Sequence, residues 1–191
     1  EAGEELVISY QLQATDLNAS SWIEQEDFNG PDVALTWFSG SFEGSDIFEL
    51  VENVGPDTST AWFVENTSQE NDQYFFSIDG HQIDGEQPVL RFTHQYLTNP
   101  GADGGIVEIS SDGGITFNDA EGLIFRAPYR GKLAYTTFAT VNQRAFWGNS
   151  EGWRTSYIDL SPYKGENVII RFRFGSIGGG AGAEGWYIDN F

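Results

Sequence analysis

Two histidines and no cysteine leave this chain few routes to chemistry, and spacing closes most of them. His81 and His94 form no His-Glu-x-x-His pair, and without thiols there is no thiolate metal set, no disulfide and no cysteine nucleophile. Neither a Gly-x-Ser-x-Gly elbow nor a phosphate-cradling glycine loop is present. What the sequence holds in quantity is carboxylates and rings: 29 Asp and Glu, with 15 Phe, 8 Tyr and 6 Trp. Facing carboxylates can hydrolyse glycosidic bonds, and Glu108 with a neighbouring acid is the candidate pair, although a solvent-facing strand residue accounts for it equally well. Carboxylates converging from distant strands can instead hold calcium, a hard cation that takes about six to eight oxygens. No EF-hand loop is present, so the fold would have to assemble such a site. Rings offer a third chemistry, stacking on sugar faces. Trp147 and Trp153 flank the turn Gly148-Asn149-Ser150-Glu151-Gly152 and are the best candidates for exposed, ligand-binding indoles, whereas Trp186, alternating with Ile188, belongs to the core.

The elements that must position these residues are strands. Apolar residues recur with period two: Leu6, Ile8, Tyr10 and Leu12; Tyr74, Phe76 and Ile78; Leu90, Phe92, His94 and Tyr96; Val168, Ile170, Phe172 and Phe174. Each set reads as the buried face of a half-buried strand, with His94 a half-buried structural residue within one of them. Arg171 and Arg173 fall on the face opposite Phe172 and Phe174 and are expected to pair with acids of an adjacent strand. Turn residues punctuate the strands at Asn29-Gly30-Pro31, Asn99-Pro100-Gly101, Asp112-Gly113-Gly114 and the glycine-rich run 178–182. Helical signal is confined to short stretches at 45–50 and 161–163, too short for crossovers. Strands without crossovers point to an all-β, antiparallel two-sheet β-sandwich. We expect residues 1–191 to form one domain, with 1–25 a leading strand or the tail of a preceding module.

Charge narrows the partners. Nine Lys and Arg against 29 acids give a net charge of −20, which repels nucleic acid and anionic bilayers. No apolar run is long enough for a membrane span, so membrane insertion is not expected. The acids are concentrated in residues 1–90, which contain no Lys or Arg. Two readings stand side by side: a solvated acidic surface of the kind that works in salt water, or carboxylates partly used to bind cations.

Ser110-Ser111-Asp112-Gly113-Gly114-Ile115-Thr116-Phe117 resembles the Asp-box hairpin repeated in sialidases, a folding device in which Asp112 accepts backbone N–H groups across a turn opened by glycines. A wider set of strings covers residues 42–191: Phe42-Glu43-Gly44, Leu90-Arg91-Phe92-Thr93-His94-Gln95-Tyr96, Asp103-Gly104-Gly105-Ile106-Val107-Glu108-Ile109, Ile158-Asp159-Leu160-Ser161-Pro162-Tyr163, and Gly185-Trp186-Tyr187-Ile188-Asp189-Asn190-Phe191. In that order they resemble the MAM-like jelly-roll domains of bacterial secreted proteins, such as those appended to immune-inhibitor-A-type peptidases, and more distantly the cleaved-adhesin domains. The resemblance implies a jelly roll, a secreted, extracellular setting, a non-catalytic accessory role in a larger peptidase or adhesin, and structural calcium. It also implies that the opening Phe-Glu and closing Ile-Asp-Asp lie on neighbouring strands and share the ion. The matching ligands are Glu43 and Asp189, with Asn190 in place of the usual second Asp and Asp72 as a further candidate. The partner would be a polysaccharide or a protein surface, and the isolated module a monomer. A carbohydrate-binding module of a secreted enzyme and a glycoside hydrolase on the same fold are the alternatives.

Overall fold

The computed structural model describes residues 26–133, 143–178 and 183–191. Among the described residues the strands are β1 (Trp37–Glu43), β2 (Glu49–Val51), β3 (Ala61–Glu65), β4 (Glu70–Ser77), β5 (His81–Gln82), β6 (Val89–Leu97), β7 (Gly104–Ser110), β8 (Asn118–Asp119), β9 (Ile124–Arg126), β10 (Gly131–Lys132), β11 (Arg144–Ala145), β12 (Arg154–Asp159), β13 (Asn167–Ile177) and β14 (Gly185–Asp189), joined by an α-helical turn at Val33–Thr36 and 3-10 turns at Glu121–Leu123 and Ser161–Tyr163. The first sheet runs β1-β4-β13-β7-β8, with β5 beside the start of β13; the second runs β2-β3-β14-β6-β12-β9. Every pairing is antiparallel. Successive long strands β1, β3, β4, β6, β7, β12, β13 and β14 alternate between the sheets, which wraps the chain into a sandwich of jelly-roll type.

Alternation does the sorting. Phe92, His94 and Tyr96 of β6 and Val168, Ile170, Phe172 and Phe174 of β13 all point inward and are buried. The sheets meet through rings: Phe75 of β4 stacks on Trp62 of β3 at 4.8 Å, Phe172 meets Phe92 edge-on at 5.1 Å, and Trp186 of β14 lies 6.0 Å from Phe172. Burying each such side chain contributes about 1.5–3 kcal/mol. Gly105 is required where it stands, because a Cβ there would lie 2.2 Å from the Trp186 ring.

Four expectations are corrected. Residues 45–48 form a loop and 49–50 open β2, rather than a helical turn, whereas Ser161–Tyr163 is a 3-10 turn with Pro162 near its start. Tyr74, Phe76 and Ile78 face outward, because Phe75 between them takes the core position against Trp37, Phe48 and Phe172. His94 is wholly rather than half buried. Glu43 and Asp189 do not lie on neighbouring strands: Glu43 ends β1 at the edge of the first sheet, and Asp189 ends β14 inside the second, because alternation of strands between the layers separates them. The expected strand within 1–25, Trp22, and residues 179–182 of the glycine-rich run lie outside the described residues.

Candidate functional site

The outward face of the first sheet collects rings and guanidiniums. Register places Phe38, Phe76, Arg171, Glu108 and Asp119 in one row across β1, β4, β13, β7 and β8, and Gly40, Tyr74, Arg173 and Ile106 in the next. The rings run continuously along β1 and β4: Phe38 to Phe76 at 5.5 Å, Phe76 to Tyr74 at 6.0 Å, Tyr74 to Phe42 at 4.6 Å. Gly40 leaves room for this, since a Cβ there would sit 2.7 Å from the Tyr74 hydroxyl oxygen. Phe38 and Phe42 remain 51% and 55% exposed on the edge strand. Four residues along β1 separate them, about 13 Å of surface at 3.3 Å per residue.

Beside the rings lies a chain of ion pairs. Asp72 accepts from Arg173 Nε at 2.7 Å and Nη2 at 2.5 Å, a two-point contact of fork and carboxylate. Glu108 accepts from Arg171 Nε at 2.7 Å and lies 3.5 Å from Arg173 Nη1. Burial opposes the charge of Arg173, but Asp72 and then Glu108 outweigh it and raise its pKa. Rings cover the guanidiniums: Arg171 lies 3.7 Å from the Phe117 centroid and 5.2 Å from that of Phe42, and Arg173 lies 4.6 Å from Phe42. The pairing expected for Arg171 and Arg173 is therefore present, with named acids. At the far end of the row Asp119, beside Tyr129 and Gln143, has its pKa raised to about 6, because burial outweighs the hydrogen bonds it accepts.

Phe117 is delivered by the β7–β8 hairpin. Asp112 accepts from the backbone N–H of Ile115 at 3.0 Å and of Thr116 at 2.9 Å, and from the Thr116 hydroxyl at 2.6 Å; these bonds hold its pKa at about 2. Gly113 and Gly114 take φ of 76° and 86°, left-handed values that glycine adopts without strain.

The residues singled out from sequence are dispersed. Glu43 is exposed and stands opposite Asp72 in the β1–β4 register, but both Asp72 oxygens accept from Arg173. Asp189 is fully buried on the other sheet, where its carboxylate accepts from the Ser59 hydroxyl and from the Asn190 N–H. Its pKa is raised, first by burial and then by the charges of Asp27 and Asp57. Asp27, Asn29, Asp57, Thr58, Ser59 and Asn190 line a cleft of about 340 Å³ there. Among the described residues no three acidic or histidine side chains form a metal-holding cluster by themselves, so a cation in this cleft would need its amide and hydroxyl oxygens as well.

Trp147 and Trp153 are half-buried. The Trp147 indole N–H donates to Gly131 O at 2.9 Å and its ring carries Arg130 at 5.4 Å, while Trp153 sits 6.3 Å from Tyr187. Their turn does line a cleft of about 230 Å³, through Gly148 and Asn149 with Leu97, Thr98, Asn99, Pro100 and Ala183, but neither indole reaches it. None of Phe38, Phe42, Tyr74, Phe76 and Phe117 is among the binding residues expected from sequence, which assigns Tyr74 and Phe76 to the core. The available signal was adjacency: Trp37-Phe38 and Tyr74-Phe75-Phe76 place a ring on each face of a strand, and only one face can be core.

Fold and face together describe a β-sandwich with rings and ion pairs laid out on an open sheet surface. No family model matches the sequence, and no curated protein does. Solved structures similar to it include the glycoside hydrolase domain of Spr0440, Endo-D, from Streptococcus pneumoniae R6 (11% identity, TM-score 0.48, 81% of this chain and 21% of that one). Another is TmCBM27, a carbohydrate-binding module characterised for specific mannan recognition (16% identity, TM-score 0.45, 88% and 93% of the two chains). A third is the K1 cleaved adhesin domain of Lys-gingipain from Porphyromonas gingivalis W83 (14% identity, TM-score 0.40, 87% and 86%). Likenesses this distant assign the chain no ligand and no activity.

Proposed function

We propose that this chain is a non-catalytic glycan-binding module whose platform is the outward face of the first sheet. The observation that carries this reading is the ring row Phe38-Phe76-Tyr74-Phe42, solvent-facing along two adjacent strands and flanked by guanidiniums. Sugar rings present C–H faces to aromatic rings and hydroxyls to charged donors and acceptors, and this face offers both. The structural ion pairs made by Glu108 favour a positioning role over acid catalysis. The module would act outside the cell, as a monomeric accessory part of a larger exported protein, where polysaccharides are met. No described helix is long and apolar enough to cross a membrane.

The test is retardation in gels containing soluble neutral polysaccharides, followed by calorimetry on the one that retards. Phe42→Ala and Tyr74→Ala should each weaken binding about tenfold or more, a loss of about 1.4 kcal/mol, with the circular dichroism spectrum unchanged. Release of reducing ends would overturn the non-catalytic reading, and affinity indifferent to both ring substitutions would overturn the location.

A second reading concerns calcium, and its support lies at Asp189 rather than Glu43. Carboxylate, amide and hydroxyl oxygens surround that cleft, a donor set of the hardness calcium takes, and Asp189 feels the repulsion of Asp27 and Asp57 that a cation would relieve. A melt after EDTA treatment, repeated with calcium or magnesium restored, tests it. A calcium-specific rise lost in Asp189→Asn supports the reading, and an unchanged melt removes it.

A further inference from the structure

Arg171 and Arg173 are the only Lys or Arg in the six strands of the first sheet, and they stand in the middle of the proposed platform. Open guanidinium forks on a sugar-binding face would select acidic sugars, because the fork matches a carboxylate or sulfate in two-point geometry. Here the chain supplies the carboxylates itself. Asp72 takes the Nε and Nη2 of Arg173, and Glu108 takes the Nε of Arg171 while lying 3.5 Å from Arg173 Nη1. Two cations and two anions cancel, and the acids nearest in register, Glu43 opposite Asp72 and Asp119 opposite Glu108, tip the surroundings negative.

Resting on the glycan-face reading, we propose that the platform is specific for neutral glycans and that Asp72 and Glu108 determine this specificity by occupying the forks an acidic sugar would need. A uronate could take the Nε side of either guanidinium only by displacing Asp72 or Glu108, and the rest of the Arg171 guanidinium is covered by the rings of Phe117 and Phe42. Both acids are buried, and a buried carboxylate left without its partner is strongly destabilising. The incoming anion must also approach a chain of net charge −20. A neutral sugar meets neither obstacle: it stacks on the rings, and the ion pairs stay intact.

The experiment is calorimetric titration of the whole chain at about 0.15 M salt, where distant charges are screened. Mannohexaose, xylohexaose and cellohexaose serve as neutral probes and hexagalacturonate as the acidic one. The wild type is expected to bind at least one neutral probe and to bind hexagalacturonate at least a hundredfold more weakly. Glu108→Gln, which keeps the shape and frees a fork, should narrow that ratio tenfold or more; Asp72→Asn makes the same comparison if Glu108→Gln does not fold. Hexagalacturonate bound as tightly as the best neutral probe overturns the specificity but leaves the glycan face standing. So does a folded Glu108→Gln with an unchanged ratio, which removes the role of the acids. If none of the four probes binds, the glycan reading falls and the specificity with it.

Discussion

His94 and Asp119 draw the pH dependence of stability in opposite directions, and removing one should expose the other. The Trp186 indole N–H can only donate, so His94 accepts it at Nδ1 and donates its own proton from Nε2 to Ser156 Oγ, 2.9 Å away. Burial, and then Arg154, lower the His94 pKa from 6.5 to about 3. Protons therefore favour the unfolded chain: the stabilisation from the neutral ring is complete above pH 6.5 and is lost as pH falls toward 3. At about 1.4 kcal/mol per pH unit the whole span corresponds to about 5 kcal/mol. Asp119 behaves oppositely, its pKa raised from 3.8 to about 6. Its contribution is complete below pH 3.8 and is lost as pH rises through 6, about 2–3 kcal/mol after allowance for its partial exposure. Between pH 4 and 6 the two slopes nearly cancel in the wild type. Asp119→Asn deletes one of them, so acidification from pH 6 to 4 should cost the variant about 2–3 kcal/mol more than the wild type. Urea unfolding of both proteins at pH 4, 5, 6 and 7 measures this, and the other carboxylates cancel in the difference. A wild-type-minus-variant difference that is flat with pH would refute the assignment of opposed buried groups.

Asp112→Ala should lower the melting temperature by loosening the hairpin. It should also weaken glycan binding, because the hairpin delivers Phe117 to Arg171; unchanged melting and affinity would count against both roles. Since the Asp112 carboxyl sits at about 2, its contribution is present above pH 3.8 and fades as pH falls through 2, visible as a wild-type-specific acid transition absent from Asp112→Ala. Gly105→Ala forces a Cβ into the Trp186 ring and is expected to cost about 1–3 kcal/mol in urea unfolding, whereas Gly122→Ala, with open space and an ordinary φ, should be close to neutral. Sodium chloride up to a few hundred millimolar should raise the melting temperature as it screens a net charge of −20, and a falling curve would show that attractive pairs outweigh repulsion.

The legible part of the fold was whatever alternates. The core faces of β6 and β13 are legible because each strand sets an apolar face against a more polar one, although the depth at which His94 is buried is not, and the pairing of Arg171 and Arg173 with acids follows from the face they occupy. β4 misled because both of its faces are aromatic: nothing local tells Phe75 from Tyr74 and Phe76, and only the ring of Trp62 across the core decides which is buried. The candidate platform was hidden for the same reason, since its rings belong to strands far apart in sequence that register alone aligns. Glu43 and Asp189 failed as a pair because position at strand ends says nothing about which layer a strand joins. Trp147 and Trp153 drew attention as rings beside a turn, but a turn can fold its flanking rings against neighbours, as Arg130 and Tyr187 show.

The order of strands has a consequence for how the molecule is made. β13 lies between β4 and β7, and β14 between β3 and β6, so each sheet is closed at its centre by a strand that follows both of its neighbours in the chain. Until those residues are available, β4 and β7 have no common partner and neither do β3 and β6, leaving both layers split. Such non-local pairing folds slowly. A ribosome-bound fragment lacking β13 and β14 would present open edges in both halves and would be a client for chaperones until synthesis passes them.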